Sequence, residues 1–482
     1  MLKIALQANS GQYVCAEGSG GREVVANRGV LGPWETFIVH DLDGGEVALQ
    51  ANNGQYLCAE GGGGREVVAN RNAIGAWETF TRHDLGDNKF AFQAANGQYM
   101  CAESGGGQII VANRGAIGSW ETFVLTTVAG TSRNVAVDDE EKAQIKETAD
   151  ITKQLLARRY LVNDDKVLRG VHPKSHGCVM ATFKINDDID HNLQVGLFSV
   201  PGQCYQAKIR YSNATALVTN DVNADGTNSS RGMAIKVLAV EDGGPFLEKD
   251  NGNRNQDFLM INSPVFAFAN IPDYLRLNQS LLNNNESAAE FFAPLAPDSQ
   301  FTEEQIATAA ATFSIIRQIS ATPVENPLAV QYFSAAPFAF GATRVMHFSV
   351  VPSGGAKTQQ KLLNPTANYL REAVTETMST PEHKEFDFMV QIRNTNEEGL
   401  ELENASENWD QTKYPFVKVA TISIPSPQQE INSEKNEAEC ENLVYTPWHA
   451  LKAHEPLGGI NRLRKKVYET SATERGVCPH HK

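Results

Sequence analysis

The sequence predicts two domains: an all-β module of three 43-residue repeats, and then an α+β domain in which an antiparallel β-barrel carries peripheral helices. The segment Gly-Gln-Tyr recurs at Gly11, Gly54 and Gly97, and a fixed interval of this size is typical of supersecondary units that pack on one another. After residue 126 the repeat stops. Strand-like runs then mix with scattered helical segments, without the regular helix–strand alternation of a doubly wound sheet.

Length, charge and hydropathy exclude several classes of protein. The chain has 482 residues, more than one ordinary core accommodates, and a formal net charge of -15. A chain this acidic gains little from counterion release at a phosphate backbone, so nucleic acid is excluded as a partner. No apolar run approaches the roughly 20 residues that span a bilayer, and patterned sequence begins too early for a signal peptide. We therefore expect a cytoplasmic protein without a transmembrane segment.

Each repeat is predicted to form four short strands. In the second repeat the runs Ala48–Ala51, Tyr56–Ala59, Glu66–Ala69 and Glu78–Phe80 are separated by turns rich in asparagine and glycine. Such turns are typical of hairpins. Three units give twelve strands, a number that suits a closed threefold arrangement.

Cysteine and tryptophan each recur at equivalent places in the repeats. The cysteines face equivalent neighbours, so they are predicted to be small buried thiols rather than parts of a disulfide framework: Cys15, Cys58 and Cys101. The tryptophans, each followed by Glu-Thr-Phe, are interpreted as core residues rather than sugar platforms, because large aromatic side chains usually supply buried area: Trp34, Trp77 and Trp120.

The repeat motifs resemble a known family. The segments GQYVCAEGSGGREVVANR, GQYLCAEGGGGREVVANR and GQYMCAESGGGQIIVANR, each closed by WETF, resemble the fascin-like β-trefoil repeat over residues 1–126. The resemblance implies a β-trefoil that binds a glycan, a lipid headgroup or actin, or that serves only as a docking module. Repeated polar residues either line three equivalent pockets or only repeat the turn chemistry, namely Gln12, Gln55, Gln98, Glu17, Glu60, Glu103, Asn27, Asn70 and Asn113.

Residues 127–164 are predicted to form a linker and a helix. The first part is small and polar, as linkers are. Asp139–Tyr160 begins with acidic residues and ends near two arginines, which complements the helix dipole.

The domain over residues 165–482 contains seven predicted strands and three predicted helices. The strands are 179–185, 206–211, 232–237, 258–261, 345–351, 386–392 and 417–424, and the helices are 303–319, 366–378 and 459–474.

Two local patterns in this domain are ambiguous on their own. The segment Arg169–Gly177 places His172 among cations, glycine and proline before a strand, where a histidine is more often structural than catalytic. Arg464 and Tyr468 are four residues apart on one helix face. A guanidinium favours the phenolate, which can ligate ferric iron, although an arginine stem packing on a ring is the commoner explanation.

Five short motifs in a set order resemble the haem-binding core of the catalase superfamily. They are RGVH at 169–172, IRYS at 209–212, SRGMAIKV at 230–237, DFLMINSPVF at 257–266 and RKKVY at 464–468. The resemblance implies a catalase-like domain that binds haem b. Tyr468 is then the iron ligand and Arg464 its charge partner, while Arg169 and Arg210 contact the cofactor.

The same resemblance implies that His172 is the catalytic acid/base and that Ser212 orients its ring. Typical catalases carry Asn-Asn-Thr-Pro where this chain has Ile261 and Asn262 at the first two positions. Either a local slip returns Asn262 to the pocket as a catalytic residue, or the polar partner is absent. An isoleucine there makes the pocket more apolar and favours an organic hydroperoxide over hydrogen peroxide.

Three functions remain open at this point. The first is a haem enzyme acting on organic or fatty-acid hydroperoxides, similar to small catalase-like proteins and allene oxide synthases, with the trefoil as a binding or targeting module. The second is an ordinary catalase or peroxidase that removes hydrogen peroxide. The third is a non-enzymatic glycan- or lipid-binding protein with a degenerate haem domain. The catalase resemblance also implies a homo-oligomer. The tail with Cys478, His480 and His481 has metal-ligand residue types without a recognised spacing, and it is interpreted as a flexible terminus or the remnant of a tag.

Overall fold

The computed structural model describes the chain in two compact units, residues 1–132 and 133–482. It leaves undescribed residues 1, 30–32, 43–44, 52, 87–88, 128–136, 164, 248–253, 297–300, 342, 396, 398, 429 and 480–482. Most of the predicted linker, together with His480 and His481 of the tail, therefore lies outside the described residues. Cys478 is described and exposed.

The N-terminal unit consists of short antiparallel strands, four from each repeat. These are β1 (Leu2–Gln7), β2 (Tyr13–Ala16), β3 (Val24–Arg28), β4 (Phe37–Asp41), β5 (Glu46–Gln50), β6 (Tyr56–Ala59), β7 (Val67–Arg71), β8 (Phe80–Asp84), β9 (Lys89–Gln93), β10 (Tyr99–Ala102), β11 (Ile110–Arg114) and β12 (Phe123–Thr127).

Six of these strands close into a ring, in the order β1, β4, β5, β8, β9 and β12, because β12 pairs back to β1. The remaining strands form the hairpins β2/β3, β6/β7 and β10/β11. Single bridges join each hairpin to the next, at Glu23–Val68, Glu66–Val111 and Val25–Ile109. Since the bridges run cyclically from repeat to repeat, the three repeats are related by an approximate threefold axis.

The cores of the repeats are equivalent. Cys15, Cys58 and Cys101 are fully buried, as predicted. Burial, followed by a neighbouring glutamate in each case, raises the pKa of each of these thiols to about 12, so they stay neutral.

The prediction that the repeated tryptophans belong to the core is wrong. Trp34, Trp77 and Trp120 are 41%, 44% and 40% exposed. The phenylalanine three residues after each of them begins a strand of the ring and is fully buried: Phe37, Phe80 and Phe123. The inward position at the start of each strand thus goes to phenylalanine, and the tryptophan stays in the preceding loop.

The C-terminal unit combines nine strands with seven α-helices among its described residues. The strands are β13 (Ser175–Ile185), β14 (Cys204–Asn213), β15 (Arg231–Val237), β16 (Gln256–Ile261), β17 (Tyr332–Phe333), β18 (Phe338–Phe340), β19 (Arg344–Pro352), β20 (Lys384–Asn394) and β21 (Val417–Ile424). The helices are α1 (Asp139–Tyr160), α2 (Ile271–Asn283), α3 (Ala289–Phe292), α4 (Glu303–Ala321), α5 (Tyr369–Ser379), α6 (Glu434–Asn442) and α7 (Gly459–Glu474).

Eight strands close into an antiparallel barrel with helices attached. The order is β17, β16, β15, β14, β13, β21, β20 and β19, and β19 pairs back to β17 while β18 lies beside β19. Aromatic rings fill the barrel: Phe258 lies 4.7 Å from Phe388 and 5.0 Å from Phe348, centroid to centroid. Among the described residues, no helix combines the length and apolar character needed to cross a membrane.

All seven strands and three helices predicted for this unit are present, with ends shifted by a few residues, and α1 has the predicted bounds. Helices α2, α3 and α6 were not predicted. Helix α6 has only Ala438 and Cys440 as apolar residues, so it lacks the apolar periodicity that marks a helix in sequence. Tertiary contacts hold it: Cys440 forms a disulfide with Cys178 of β13, and the Asn436 carboxamide donates to the Cys178 carbonyl at 2.8 Å.

Candidate functional site

A cavity of about 520 Å³ lies in the C-terminal unit between one side of the barrel and helices α1, α2, α4 and α7. Strands β14, β15 and β16 supply its barrel wall. Six of the seven predicted site residues line it, namely Arg169, His172, Arg210, Ser212, Arg464 and Tyr468. The structure thus brings together residues from both ends of the unit.

His172 is held by its backbone and by one side chain. Its φ of 61° is in the left-handed region, which non-glycine residues rarely adopt, and its amide donates to the Thr215 carbonyl at 2.9 Å. Its Nδ1 lies 3.0 Å from Oγ of Ser212, which is buried on β14. Because Ser212 occupies Nδ1, Nε2 is the ring nitrogen left for proton exchange in the cavity.

Gly232 on β15 makes room for this pair. A Cβ at this position would lie 2.4 Å from His172 Nδ1 and 2.8 Å from Ser212 Oγ. Both distances are far inside van der Waals contact, so any side chain here would displace the imidazole or the hydroxyl. Gly232, the glycine of the RGMAIK motif, is therefore needed for the His172 imidazole and the Ser212 hydroxyl to occupy these positions.

His172 is neutral over the physiological pH range. Burial, and then the charges of Arg210 and Arg464, lower the pKa of its imidazole to about 3. A neutral imidazole can accept a proton from a substrate and later return it.

Arg464 and Tyr468 meet on α7 as the spacing predicts. Arg464 Nη2 donates to the Tyr468 hydroxyl oxygen at 3.5 Å, and its guanidinium carbon lies 5.5 Å from the ring centroid. Arg464 Nη1 also donates to Asn461 Oδ1 at 3.0 Å. Asn461 is fully buried and its amide nitrogen donates to two backbone carbonyls, so it fixes the guanidinium in place.

A cluster of three arginines lies around Glu441 of α6. Arg210 Nη2 donates to the Glu441 carboxylate at 3.0 Å, Arg169 binds its other oxygen, and Arg475 Nη1 donates to its backbone carbonyl at 2.6 Å. Although burial acts in the opposite direction, Arg210 and Arg169 hold the pKa of Glu441 below its ordinary value. Three guanidinium groups against one carboxylate leave two positive charges in excess at this part of the cavity.

Sequence reasoning missed Glu441 and Arg475. Arg475 lies seven residues after Tyr468, so the helical period places it near the same face of α7, and that spacing is a usable signal. Its Nε is buried and has no hydrogen-bond partner within the described part of the chain. Glu441 offered no comparable signal, because only the fold of α6 brings it to the three arginines.

Asn262 is placed differently from the catalytic role expected for it. Its Oδ1 accepts from the Arg231 amide at 2.7 Å, its own amide donates to the Arg231 carbonyl, and it is not among the residues lining the cavity. Ile261 lines the cavity and pairs in register with Gly232, without a slip. Asn262 is therefore bound to the Arg231 backbone next to the paired strands, and Ile261 is the residue that lines the cavity.

Aromatic residues make the wall beside Ile261 apolar. Phe266, Phe268 and Tyr274 line the cavity and contact one another with ring centroids 5.6 to 6.1 Å apart. Burial, and then Tyr468, raise the pKa of Tyr274 above its ordinary value, so this phenol stays neutral. No group of three His, Cys, Asp or Glu side chains that could hold a metal ion occurs among the residues described.

Comparisons with known proteins bear on both units. A family model described as a domain of unknown function (DUF7910) matches residues 40–100, within the repeats. No curated protein matches the chain. Three solved catalases are similar at 16% identity: catalase A from Saccharomyces cerevisiae (TM-score 0.49, 66% of this chain), a bacterial catalase (0.50, 73%) and a fungal catalase (0.49, 68%).

The likeness to the bacterial catalase shows a catalase-like fold and concerns the fold alone. This chain spans less than two thirds of the three catalases, 63%, 63% and 64% of their respective lengths.

Proposed function

We propose that the C-terminal unit binds haem b with Tyr468 as its iron ligand and acts on hydroperoxides, organic or fatty-acid hydroperoxides in preference to hydrogen peroxide. The observation that carries this proposal is the convergence of the His172–Ser212 pair and the Arg464–Tyr468 pair on one cavity.

The residues present fit haem in shape and charge. The cavity volume of about 520 Å³ is within the range of cofactor sites. The two excess positive charges of the arginine cluster match the two carboxylates of haem, and Arg475 Nε is a buried donor still without a described partner. Arg464 Nη2 lies 3.5 Å from the hydroxyl oxygen of Tyr468, the atom that would bind iron.

Haem bound in this way supplies the redox chemistry for cleaving an O–O bond. The protein supplies the proton transfers. Nε2 of His172 accepts the proton of the hydroperoxide group and returns it to the oxygen that leaves. Ser212 fixes the orientation of the ring for both transfers, since its Oγ lies 3.0 Å from Nδ1.

The preference for organic hydroperoxides rests on Ile261 and its neighbours. Ile261, Phe266 and Phe268 present carbon surface to the cavity, while the Asn262 carboxamide is engaged by Arg231. An organic group gains by burying its apolar surface on this wall, and hydrogen peroxide does not.

For the N-terminal unit we propose a fascin-like β-trefoil that acts as a binding or targeting module for a glycan, a lipid headgroup or actin. The cyclic bridges between the three hairpins support this assignment. A cytoplasmic location remains a prediction from the sequence, although a disulfide such as Cys178–Cys440 is more typical of an oxidising compartment.

The test is reconstitution of the full chain with haem, followed by turnover assays. We expect a high-spin ferric spectrum and faster turnover of cumene hydroperoxide or a fatty-acid hydroperoxide than of hydrogen peroxide. Fast dioxygen release from hydrogen peroxide would instead identify an ordinary catalase. A protein that stays colourless with excess haem would indicate a degenerate haem domain.

Two substitutions distinguish the proposed role of Tyr468 in binding haem from the proposed role of His172 in proton transfer. Tyr468→Phe should lose haem or change its spin state, whereas Tyr274→Phe, which removes a hydroxyl from the same cavity, should keep the spectrum. His172→Ala should keep haem and lose turnover by about 100-fold or more, the size expected of a general acid/base. Full activity in His172→Ala would refute the catalytic assignment.

A further inference from the structure

The exposed tryptophans of the N-terminal unit have no role in its core. Trp77 and Trp120 are 44% and 40% exposed, and in the same loops Ile74 and Ile117 are each 37% exposed. Large apolar side chains exposed together on a folded protein commonly mark a binding surface. We call these two segments, residues 72–79 and 115–122, the tryptophan loops.

The tryptophan loops are held rigidly. In the second repeat the Glu78 carboxylate accepts from the Gly75 amide at 2.9 Å, and the Thr79 hydroxyl donates to the Gly75 carbonyl at 2.9 Å. The third repeat makes both bonds at 2.8 Å, around Gly118. The backbone carbonyl of Trp77 also accepts from the Ala59 amide. A ligand therefore binds a preformed surface, and the loops lose little conformational entropy on binding.

A glycine underneath each indole sets its position. A Cβ on Gly62 would lie 3.2 Å from Cδ1 and Nε1 of Trp77, and a Cβ on Gly105 would meet Trp120 at the same distances. The pyrrole edge of each indole thus rests against glycine backbone. The first repeat has Ser19 instead of glycine at the corresponding position of the sequence.

The chemistry around the indoles favours an uncharged, hydroxylated ligand. The only ionisable residue in the loop around Trp77 is Glu78, which is buried beside Arg71. No cation in the loop is therefore available for a phosphate or sulfate. An exposed asparagine lies near each indole: Asn9 Nδ2 is 3.6 Å from the position that a Cβ on Gly105 would take, and the backbone amide of Asn96 donates to the Gly62 carbonyl.

We propose that the tryptophan loops bind the pyranose rings of an uncharged polysaccharide, with a sugar face on each indole and its hydroxyl groups on the neighbouring carboxamides. The C–H face of a pyranose suits the negative face of an aromatic ring. Because one unit carries two equivalent tryptophan loops, one polymer or one glycan-coated surface can occupy more than one site. Sugar binding here deepens the role proposed above for the N-terminal unit and does not depend on haem.

The experiment is affinity electrophoresis of the full chain through gels containing a soluble β-1,3-glucan, xyloglucan, galactomannan or glycogen. Retardation by at least one of them is expected. Trp77→Ala and Trp120→Ala should each reduce the affinity for that polymer, and the double variant should reduce it by about tenfold or more, since avidity is lost with the sites. Trp34→Ala should have the smallest effect of the three tryptophan substitutions.

Leu85→Ala is the matched control, because Leu85 is 42% exposed in the same unit but lies outside the tryptophan loops. It should leave retardation unchanged. Trp77→Phe keeps a ring and should retain part of the affinity, which separates loss of stacking from misfolding. Flotation with phosphatidylcholine vesicles tests a lipid instead.

Retardation by none of the four polymers, retardation unchanged in the double variant, or tryptophan-dependent flotation without sugar binding would each overturn the proposal. Hydroperoxide turnover should be the same in all these variants. Failure of sugar binding is therefore distinguishable from failure of the haem assignment.

Discussion

Gly232→Ala is the substitution that best tests how the cavity works. The added Cβ would lie 2.4 Å from His172 Nδ1, whereas carbon and nitrogen atoms in contact are about 3.5 Å apart, so the imidazole must move by about 1 Å. A displacement of this size at a reacting group costs on the order of 100-fold in rate. The overpacking itself destabilises the fold by about 1–3 kcal/mol. Haem affinity should change little, because the three atoms nearest to the new Cβ belong to His172 and Ser212 and not to Tyr468 or the arginine cluster.

The assay is turnover of an organic hydroperoxide by haem-loaded protein, with the Soret band measured in parallel. Gly170→Ala is the matched control: it also lines the cavity, but its Cβ would meet Thr152 Cγ2 at 3.4 Å, an ordinary contact. We expect Gly170→Ala to keep most of its activity and Gly232→Ala to lose it with the spectrum intact. Equal activity in the two variants would refute the idea that the absence of a side chain at Gly232 keeps His172 in its catalytic position.

Three further predictions concern stability. Glu441→Gln leaves the arginine cluster without its carboxylate and should lower the unfolding free energy by about 3–5 kcal/mol at pH 7. Because the pKa of Glu441 is lowered in the folded state, the difference in unfolding free energy between variant and wild type should shrink as the pH falls below 4.5. A difference that stays constant with pH would contradict this. Burial lowers the pKa of His347 to about 3 and of His454 to about 4, from an ordinary 6.5, so the unfolded chain binds protons at a higher pH than the folded chain. Below pH 6.5 these two groups together should therefore lower the unfolding free energy, measured by denaturant titration, by about 3 kcal/mol per pH unit. An unfolding free energy that stays constant down to pH 4 would argue against neutral buried imidazoles. Cys440→Ser should lower unfolding free energy by about 2–4 kcal/mol relative to wild type under oxidising conditions, and equal stability of the two proteins would mean that the disulfide with Cys178 does not form.

The sequence predicted the parts of the site that are encoded locally. The spacing of Arg464 and Tyr468 requires only that the segment be a helix, and α7 is one. The bounds of α1 followed from its charged ends. Such features depend on neighbouring residues and can be read without the fold.

Features that depend on distant segments were not predictable in this way. Glu441 reaches the arginine cluster because α6 is linked to β13, and no periodicity in the sequence indicates that contact. Asn262 follows Ile261 in the chain, but the register of β15 and β16 places its Oδ1 where it accepts a hydrogen bond from the Arg231 amide. Trp77 was assigned to the core from its size, whereas Phe80 holds the inward position at the start of its strand.

The arginine cluster also constrains the order in which the chain can assemble. Arg169 and Arg210 leave the ribosome more than 200 residues before Glu441, and Arg475 follows later still. Until α6 has emerged, two guanidinium groups at this side of the barrel lack the carboxylate that separates them, and their mutual repulsion opposes closure there. Strands β13 to β21 all precede α6 in the chain, so the barrel strands can be present before the carboxylate that balances these charges has been translated.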